Sequence, residues 1–486
     1  MKSLYDNLLA GLPTDLYIGG RWRPASDGAR MDVVDPATEA VIASVASASV
    51  EDAKAAVDAA AAAAGDWAGR KPRERGEILR KAYDLLSQQG ERFARLITVE
   101  NGKSLADARG EVAYAAEFFR WYAEEAVRNI GEVSRAPSSG ARIVVQHKPA
   151  GVAVLVTPWN FPAAMATRKI GAALAAGCPI VLKPASDTPL TALALVLLFQ
   201  EAGVPAGVVN VLPSRRSGAV VGAMLGDLRV RVISFTGSTE VGRKLLHAAA
   251  DNVVRPVMEL GGNAPFIVFD DADLDAAVEG AMIAKMRNMG EACTAANRFY
   301  VHADIHDAFA AKFVERMRAL KVGHGLEEGV AVGPLVNAEA RDKVVELVND
   351  AIGKGAKALV GGEAPTGTGF FFPATVLVDV PDDAAMLREE IFGPVASIQK
   401  FTDDEEVVAR ANATEYGLVA YVYTGDLARG MRVSEKLDFG MIGLNRGIVS
   451  DPAAPFGGMK QSGIGREGAH EGIREFLETQ YVSVTW

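Results

Sequence analysis

Cysteine is almost absent from this chain, with two among 486 residues. That count excludes a disulfide framework and leads us to expect reduced thiols and a cytosolic setting. Histidine is scarce too. His147, His247, His302, His306, His324 and His470 are scattered, with no paired-cysteine or H-x-x-x-H spacing, so no metal centre is expected. No segment reaches the roughly eighteen uninterrupted apolar residues of a membrane span. The opening MKSLYDNLLAGLPTD has no continuous apolar run of the secretory kind, and no membrane association is expected. Positive charge is in deficit: 51 Lys and Arg stand against 61 Asp and Glu, a net charge of −10. A nucleic-acid surface is therefore not expected, and an anionic ligand would need a local cationic pocket. No internal repeat of solenoid period is visible.

What is present is ordinary for a soluble globular protein: 49% apolar and 23% charged residues. The length implies two or three domains. The first part reads as short strands (LYIGGRWRP, MDVVDPATEAVIASV) followed by helices. Ser49 can cap the alanine-rich helix that starts SVEDAKAAVDAA. From HKPAGVAVLVTPWNFP the rhythm changes. Short apolar runs, GVAVLVTP, CPIVLKP, VVNVLP and VRVISFTG, alternate with helical segments, as in parallel strands buried on both faces. This predicts an α/β chain with a doubly wound, Rossmann-type nucleotide-binding sheet. A second α/β region is expected from about Pro256. The tail FLETQYVSVTW reads as a strand in need of an edge, with a partner subunit as one source. Gly463 to Gly468, GIGREG, fits G-x-G-x-x-G but follows no strand and opens no βαβ unit. We read it as a mobile glycine-rich loop.

Cys178 lies in AAGCPIVL, the setting of a small buried hydrophobe. Cys293 differs: in RNMGEACTAANRFY its neighbours include Gly290, Glu291, Thr294 and Asn297. A nucleophilic cysteine needs a base and an oxyanion site. No histidine offers itself as the base. Glu259, in MELGGNAPF, sits between an apolar strand-like run and two glycines, where burial would raise its pKa and make it a base. Asn160, in TPWNFP between Pro158 and Pro162, could donate to developing negative charge from a stiff loop.

These motifs together resemble the aldehyde dehydrogenase superfamily. TPWNFP, GCPIVLKPAS, FTGSTEVG, MELGGNAPF, GEACTAANRF, EEIFGPV and PFGGMKQSGIGREG occur in that order and span most of the chain from about residue 150. The resemblance implies a mechanism. Cys293 attacks an aldehyde, the Asn160 side chain and the Cys293 N–H hold the oxyanion, and hydride leaves for a nicotinamide. Glu259 then activates the water that hydrolyses the thioester, and Lys169 helps hold the thiolate. It also implies the cofactor residues: Trp159 at the nicotinamide end, Gly237 and Ser238 before a helix facing the pyrophosphate, Leu260, and Glu390 with Phe392 at the nicotinamide ribose and ring. Lys183 resembles the lysine near the adenosine ribose. Ser186 stands where many NAD-preferring members have glutamate, so NADP is expected to be accepted and preferred, with NAD as the alternative.

ATRKIGAALAAGC, YAAEFFRWYAEEA and RNMGEACTAANRF resemble the succinate-semialdehyde branch. For that branch Arg168 and Arg287 would clamp a distal carboxylate, with Ser450 adding a hydroxyl, because the arginine fork matches a carboxylate. The expected activity is NAD(P)-dependent oxidation of succinic semialdehyde to succinate. Glutarate semialdehyde or plain aliphatic aldehydes are the alternative, and a non-catalytic binding protein the remote one. Ala295 excludes a second cysteine two residues after the nucleophile. Glu291 stands in place of a frequent glutamine, and Arg446 in place of a small residue. The architecture implied is a cofactor domain (1–125 and 148–255), a catalytic domain (256–446), and a β flap with tail (126–147 and 447–486) that assembles a homodimer or homotetramer.

Overall fold

The computed structural model describes residues 2–486. The four apolar runs form the parallel centre of an eight-stranded sheet. Its order is Arg21–Arg23, Leu16–Ile18, Val209–Val211, Ile180–Lys183, Val152–Val156, Val230–Thr236, Arg255–Glu259 and Gly463–Ile464. The five strands from Val209–Val211 to Arg255–Glu259 are parallel. Both faces of these strands are covered by helices, which is why their sequences are apolar without alternation. From Val152–Val156 the chain first builds outward through 180–183 and 209–211. It then crosses to the other side for 230–236. The strand order therefore reverses between Val152–Val156 and Val230–Thr236. Ligands bind at such a switch point, beyond the C-terminal ends of the strands. The loops there carry Trp159 and Asn160 on one side and Gly237 and Ser238 on the other.

Helix Ala164–Ala176 follows the 157–163 loop, and all thirteen of its residues are buried. A helix wrapped on every side carries its polar side chains inside with it, and here those include Arg168 and Lys169. Upstream, helix Val50–Gly69 opens on a capping box between Ser49 and Asp52, as the alanine-rich segment predicts. Helices Gly90–Asn101 and Leu105–Glu125 pack behind the 157–163 loop.

The second sheet has seven strands in the order Lys357–Val360, Thr375–Val378, Val395–Phe401, Ala296–His302, Ala264–Val268, Val419–Tyr423 and Met441–Leu444. All are parallel except the edge strand Lys357–Val360. The chain passes between the sheets at residues 260–263. Strand Arg255–Glu259 belongs to the first sheet, so the crossing lies after Glu259 and not at Pro256 as the sequence suggested. The C-terminal end of the first sheet thus meets the N-terminal end of the second, and Cys293, just before Ala296–His302, faces Glu259 across that junction.

A three-stranded antiparallel sheet, Glu132–Arg135, Arg142–Pro149 and Leu477–Val484, stands apart from both. The terminal strand finds its edge in this chain, pairing Leu477 with Pro149 through to Val484 with Arg142. The GIGREG segment also departs from expectation. Gly463 and Ile464 pair antiparallel with Glu259 and Met258, so this stretch opens with an edge strand of the first sheet.

Two glycines carry the chain through the crossing. A Cβ on Gly262 would stand 2.5 Å from the carbonyl oxygen of Cys293 and 3.4 Å from Leu418 Cβ. Backbone cannot yield as a flexible side chain can, so Gly262→Ala must displace the nucleophile's loop. We expect kcat to fall at least about tenfold, on the order of 1.4 kcal/mol in barrier, with the circular dichroism spectrum unchanged. A variant of full activity would show that the loop relaxes freely.

Candidate active site

Cys293 follows a short turn, Arg287–Gly290, in which Asn288 and Met289 hold left-handed backbone (φ 53° and 57°). Such conformations cost free energy for non-glycine residues and gather where geometry must be held. The turn delivers the thiol, partly exposed, into a cavity of about 440 Å³. Burial pushes the thiol up to about 12. Arg168 and Arg287 draw it down, while the Glu390 and Glu259 carboxyls push it further up. The resting sulfur is therefore a thiol, and to act as a nucleophile it would first have to give its proton to a base.

Glu259 ends the last parallel strand of the first sheet and is 1% exposed. Neither carboxyl oxygen has a hydrogen-bond partner among the described residues. Burial and the neighbouring Glu467 raise its pKa well above the usual carboxylate range, against the pull of Arg168, Lys169 and Arg466. A Cβ on Gly457 would stand 2.9 Å from its Oε1.

Glu467 lies on the far side of Glu259, inside the GIGREG segment. Lys169 Nζ donates to its Oε1 at 2.5 Å and to Ser234 Oγ at 2.9 Å. The Arg168 guanidinium completes the pairing. Burial opposes its charge, but Arg168 and Lys169 prevail and hold Glu467 below its ordinary value. Two buried carboxyls are thus pushed in opposite directions, the arrangement that separates a proton-accepting group from a permanently charged one. Lys169 therefore meets Glu467 and Ser234, and not the thiol as the sequence suggested. A mobile glycine-rich loop, as the GIGREG pattern reads, offers no role for Glu467; the available signal is a charged pair, Arg466 and Glu467, set between glycines.

Asn160 is buried beside the nucleophile's turn. Its Nδ2 donates to the carbonyl of Glu291 at 3.0 Å, and its Oδ1 has no partner. Glu291, whose identity the sequence left without a role, turns inward. Its Oε1 accepts from Val336 N–H at 3.2 Å, and burial raises its carboxyl well above the usual range.

The same cavity is lined by Trp159, Gly237, Ser238, Leu260, Glu390 and Phe392, so six of the eight expected cofactor residues share one space with Cys293 and Asn160. Trp159 and Phe392 meet edge to face at 5.3 Å. Ser238 caps helix Thr239–Ala250 by accepting from Val241 N–H, and the remaining helix N–H groups suit an anion such as pyrophosphate. Glu390 accepts from Gly262 N–H at 3.1 Å, and burial lifts its carboxyl to about 8. Lys183 and Ser186 lie outside that wall, at and beyond the end of strand Ile180–Lys183. The Lys183 amine is buried, and desolvation lowers it to about 8 while Asp187 opposes. Among the described residues it has no ion-pair partner. An apolar ring pair, a capped helix terminus and a buried cation in sequence fit a dinucleotide phosphate.

The three substrate candidates divide. Arg287 Nη1 donates to Ser450 Oγ at 2.9 Å, with its guanidinium 5.0 Å from the Phe161 ring and 5.5 Å from that of Tyr114. Arg168 is fully buried, stacked 4.3 Å from Phe456 and committed to Glu467. The two free guanidinium groups pictured from the sequence thus become one Arg287–Ser450 pair in an aromatic wall, while Arg168 is ion-paired to Glu467 and its Nη1 has no hydrogen-bond partner among the described residues.

The aldehyde dehydrogenase family model matches residues 22–482, and the chain belongs to that family. The chain is 54% identical to the succinate-semialdehyde dehydrogenase of Paenarthrobacter nicotinovorans over 91% of this chain and 99% of that one. It is 49% identical to the glutarate-semialdehyde dehydrogenase of Pseudomonas putida, over 96% and 97%. A crystal structure of an E. coli NADP-dependent enzyme superposes with a TM-score of 0.97 at 47% identity, covering 99% of each chain.

The raised thiol gives a direct pH test without cofactor. An unperturbed cysteine alkylates at a rate that levels off above about pH 8.5. Alkylation of Cys293 by iodoacetamide should still climb about tenfold per pH unit past that point. A plateau near pH 8.5 would show an ordinary, solvated thiol.

Proposed function

We propose that this chain oxidises succinic semialdehyde to succinate with NADP, and more slowly with NAD, by covalent catalysis at Cys293. The observation that carries the substrate assignment is the Arg287–Ser450 pair. It is a cation and a hydroxyl set together in an aromatic recess, close enough to Cys293 for the charge to draw on its thiol, in a protein whose net charge is −10. A carboxylate at the far end of a short aldehyde satisfies that guanidinium in two places. The relatives from P. nicotinovorans and P. putida, named for two such semialdehydes, support the reading.

The chain's residues act in order. Glu259 accepts the Cys293 proton, and the thiolate sulfur bonds to the aldehyde carbon. The Asn160 side-chain N–H and the Cys293 backbone N–H receive the negative oxygen of the tetrahedral adduct. Bound NADP supplies the acceptor for the hydride that leaves that carbon, and the thioester remains on Cys293. Glu259 gives the Cys293 proton up to solvent, then takes a proton from water as the water oxygen attacks the thioester, and the Cys293 sulfur leaves as the thiolate. Glu467, held charged by Arg168 and Lys169, keeps Glu259 high in pKa, so that Glu259 accepts protons readily. Ser186 leaves space for a 2′-phosphate near Lys183, which favours NADP. The antiparallel flap with its exposed Val133, Tyr481 and Val482 supports a homo-oligomer, and no described helix is long and apolar enough to cross a membrane. With the reduced cysteines this supports a cytoplasmic enzyme.

Reduced-nicotinamide formation with succinic semialdehyde, glutarate semialdehyde and butyraldehyde, each with NADP and NAD, tests the assignment. Succinic semialdehyde with NADP should give the highest kcat/KM. A lead for glutarate semialdehyde would transfer the assignment to the five-carbon acid. In Arg287→Ala, KM for succinic semialdehyde should rise about ten- to a hundredfold, with that for butyraldehyde within about threefold. Equal changes would remove the carboxylate contact. Glu259→Gln should slow both thiolate formation and thioester hydrolysis, so turnover should fall about 10²- to 10⁴-fold with no initial burst of reduced cofactor. Unaltered steady turnover would assign the base elsewhere.

A further inference from the structure

Lys103 and Glu111 are wholly buried, and no step above uses either. Lys103 lies just beyond helix Gly90–Asn101, and Glu111 within helix Leu105–Glu125. Lys103 Nζ donates to Glu111 Oε2 at 2.6 Å and to the carbonyl oxygen of Asn160 at 2.6 Å. The ring of Phe161 lies 4.2 Å from the same nitrogen. Glu111 Oε1 accepts the N–H groups of Ala163 and Ala164 at 2.8 and 3.2 Å. One ion pair therefore holds both ends of the turn from Asn160 to Ala164.

The nucleophile's turn grips the same peptide from the opposite side. Asn288 Nδ2 donates to the Asn160 carbonyl at 2.9 Å and to the Glu291 carbonyl at 2.8 Å. It does so from left-handed backbone, which asparagine tolerates better than most side chains. With Lys103 and Asn288 both donating, the two lone pairs of the Asn160 carbonyl are taken. Its side chain is fixed next: Nδ2 gives one of its two N–H groups to the Glu291 carbonyl. The second N–H then has a set direction relative to Cys293, two residues beyond Glu291.

We propose that Lys103, ion-paired with Glu111, is a positioning residue of the oxyanion site. It holds the Asn160 peptide by its carbonyl so that the free side-chain N–H of Asn160 is aimed at the oxygen that becomes negative on the Cys293 adduct. This rests on the reading of Asn160 as oxyanion donor. A charged donor suits the task because hydrogen bonds from an ammonium are shorter and stronger than neutral ones, and the surroundings are dry. Oxyanion donors act only when aimed before the charge develops, so a small rotation of Asn160 weakens the transition state more than the ground state. The first sheet carries Asn160 and the second carries Asn288 and Cys293, so the clasp also sets one domain against the other.

The test is a double-mutant cycle on the full-length enzyme. Lys103→Met with Glu111→Gln removes the ion pair without leaving a lone buried charge. Asn288→Ala is the second, independent variant should the first not fold. Each is made in the native and in the Asn160→Ala background. The readouts are kcat per cofactor site, with sites titrated by NADP fluorescence quenching, the KM for succinic semialdehyde and the Kd for NADP. In the native background kcat should fall about tenfold or more, with KM and Kd within about threefold. In the Asn160→Ala background the same change should cost less than about twofold, because the group being aimed is gone. Equal losses in both backgrounds, or an unchanged kcat per titrated site, would make the clasp a brace for folding alone and overturn the proposal. Asn160→Ala with native kcat would overturn the oxyanion reading itself, and this proposal with it.

Discussion

Burial of the Glu259 carboxyl, without a hydrogen-bond partner among the described residues, is the constraint around which the rest is arranged. A carboxylate removed from water and left unsatisfied is costly, and the group responds by holding its proton more tightly. That same cost raises its affinity for a proton, as a general base requires. The surrounding charges keep the site from collapsing into an inert ion pair. Arg168 and Lys169, carried inward on a wholly buried helix, are directed to Glu467, and Glu259 feels them only at second hand. Were either cation to turn to Glu259 instead, its pKa would drop and the base would be lost.

The two sheets make this possible by the way they abut. The first ends its parallel strands on Glu259 and on the loops bearing Asn160 and Ser238. The second begins its own on the turn bearing Cys293. Cys293 and Glu259 thus come from opposite sides of one junction, and the crossing at Gly261–Gly262 must be tight enough to bring them together. A side chain there would overlap the Cys293 carbonyl. The hydrogen bonds spanning the junction, from Asn160 to Glu291 and from Asn288 to Asn160, hold the halves in register at the reacting atoms.

Much of this was legible beforehand. The apolar runs GVAVLVTP, CPIVLKP and VRVISFTG announced buried parallel strands because a strand covered on both faces has no polar side to alternate with. Cys293, Glu259 and Asn160 stood out because each breaks the character of its neighbours. The misreadings share one cause, which is pairing at a distance. GIGREG has no local strand pattern, and its edge-strand role exists only because Met258 and Glu259 lie alongside it. The terminal strand's edge shows in no local pattern either, since Arg142–Pro149 lies over three hundred residues earlier, and only the family resemblance grouped the tail with residues 126–147. Arg168 read as a free cation because Glu467, its partner, lies some three hundred residues later.

The sequence by itself determined the elements, their order and which groups are candidates for the chemistry, since hydrophobic period and side-chain chemistry are local properties. Tertiary structure alone decided which of those groups touch. It gave Lys169 and Arg168 to Glu467, seated Arg287 on Ser450, and set Lys103 behind Asn160. It also decided what burial does to each charge. A pKa depends on the dielectric and the charges within a few ångströms, and those are supplied by residues that folding alone makes neighbours.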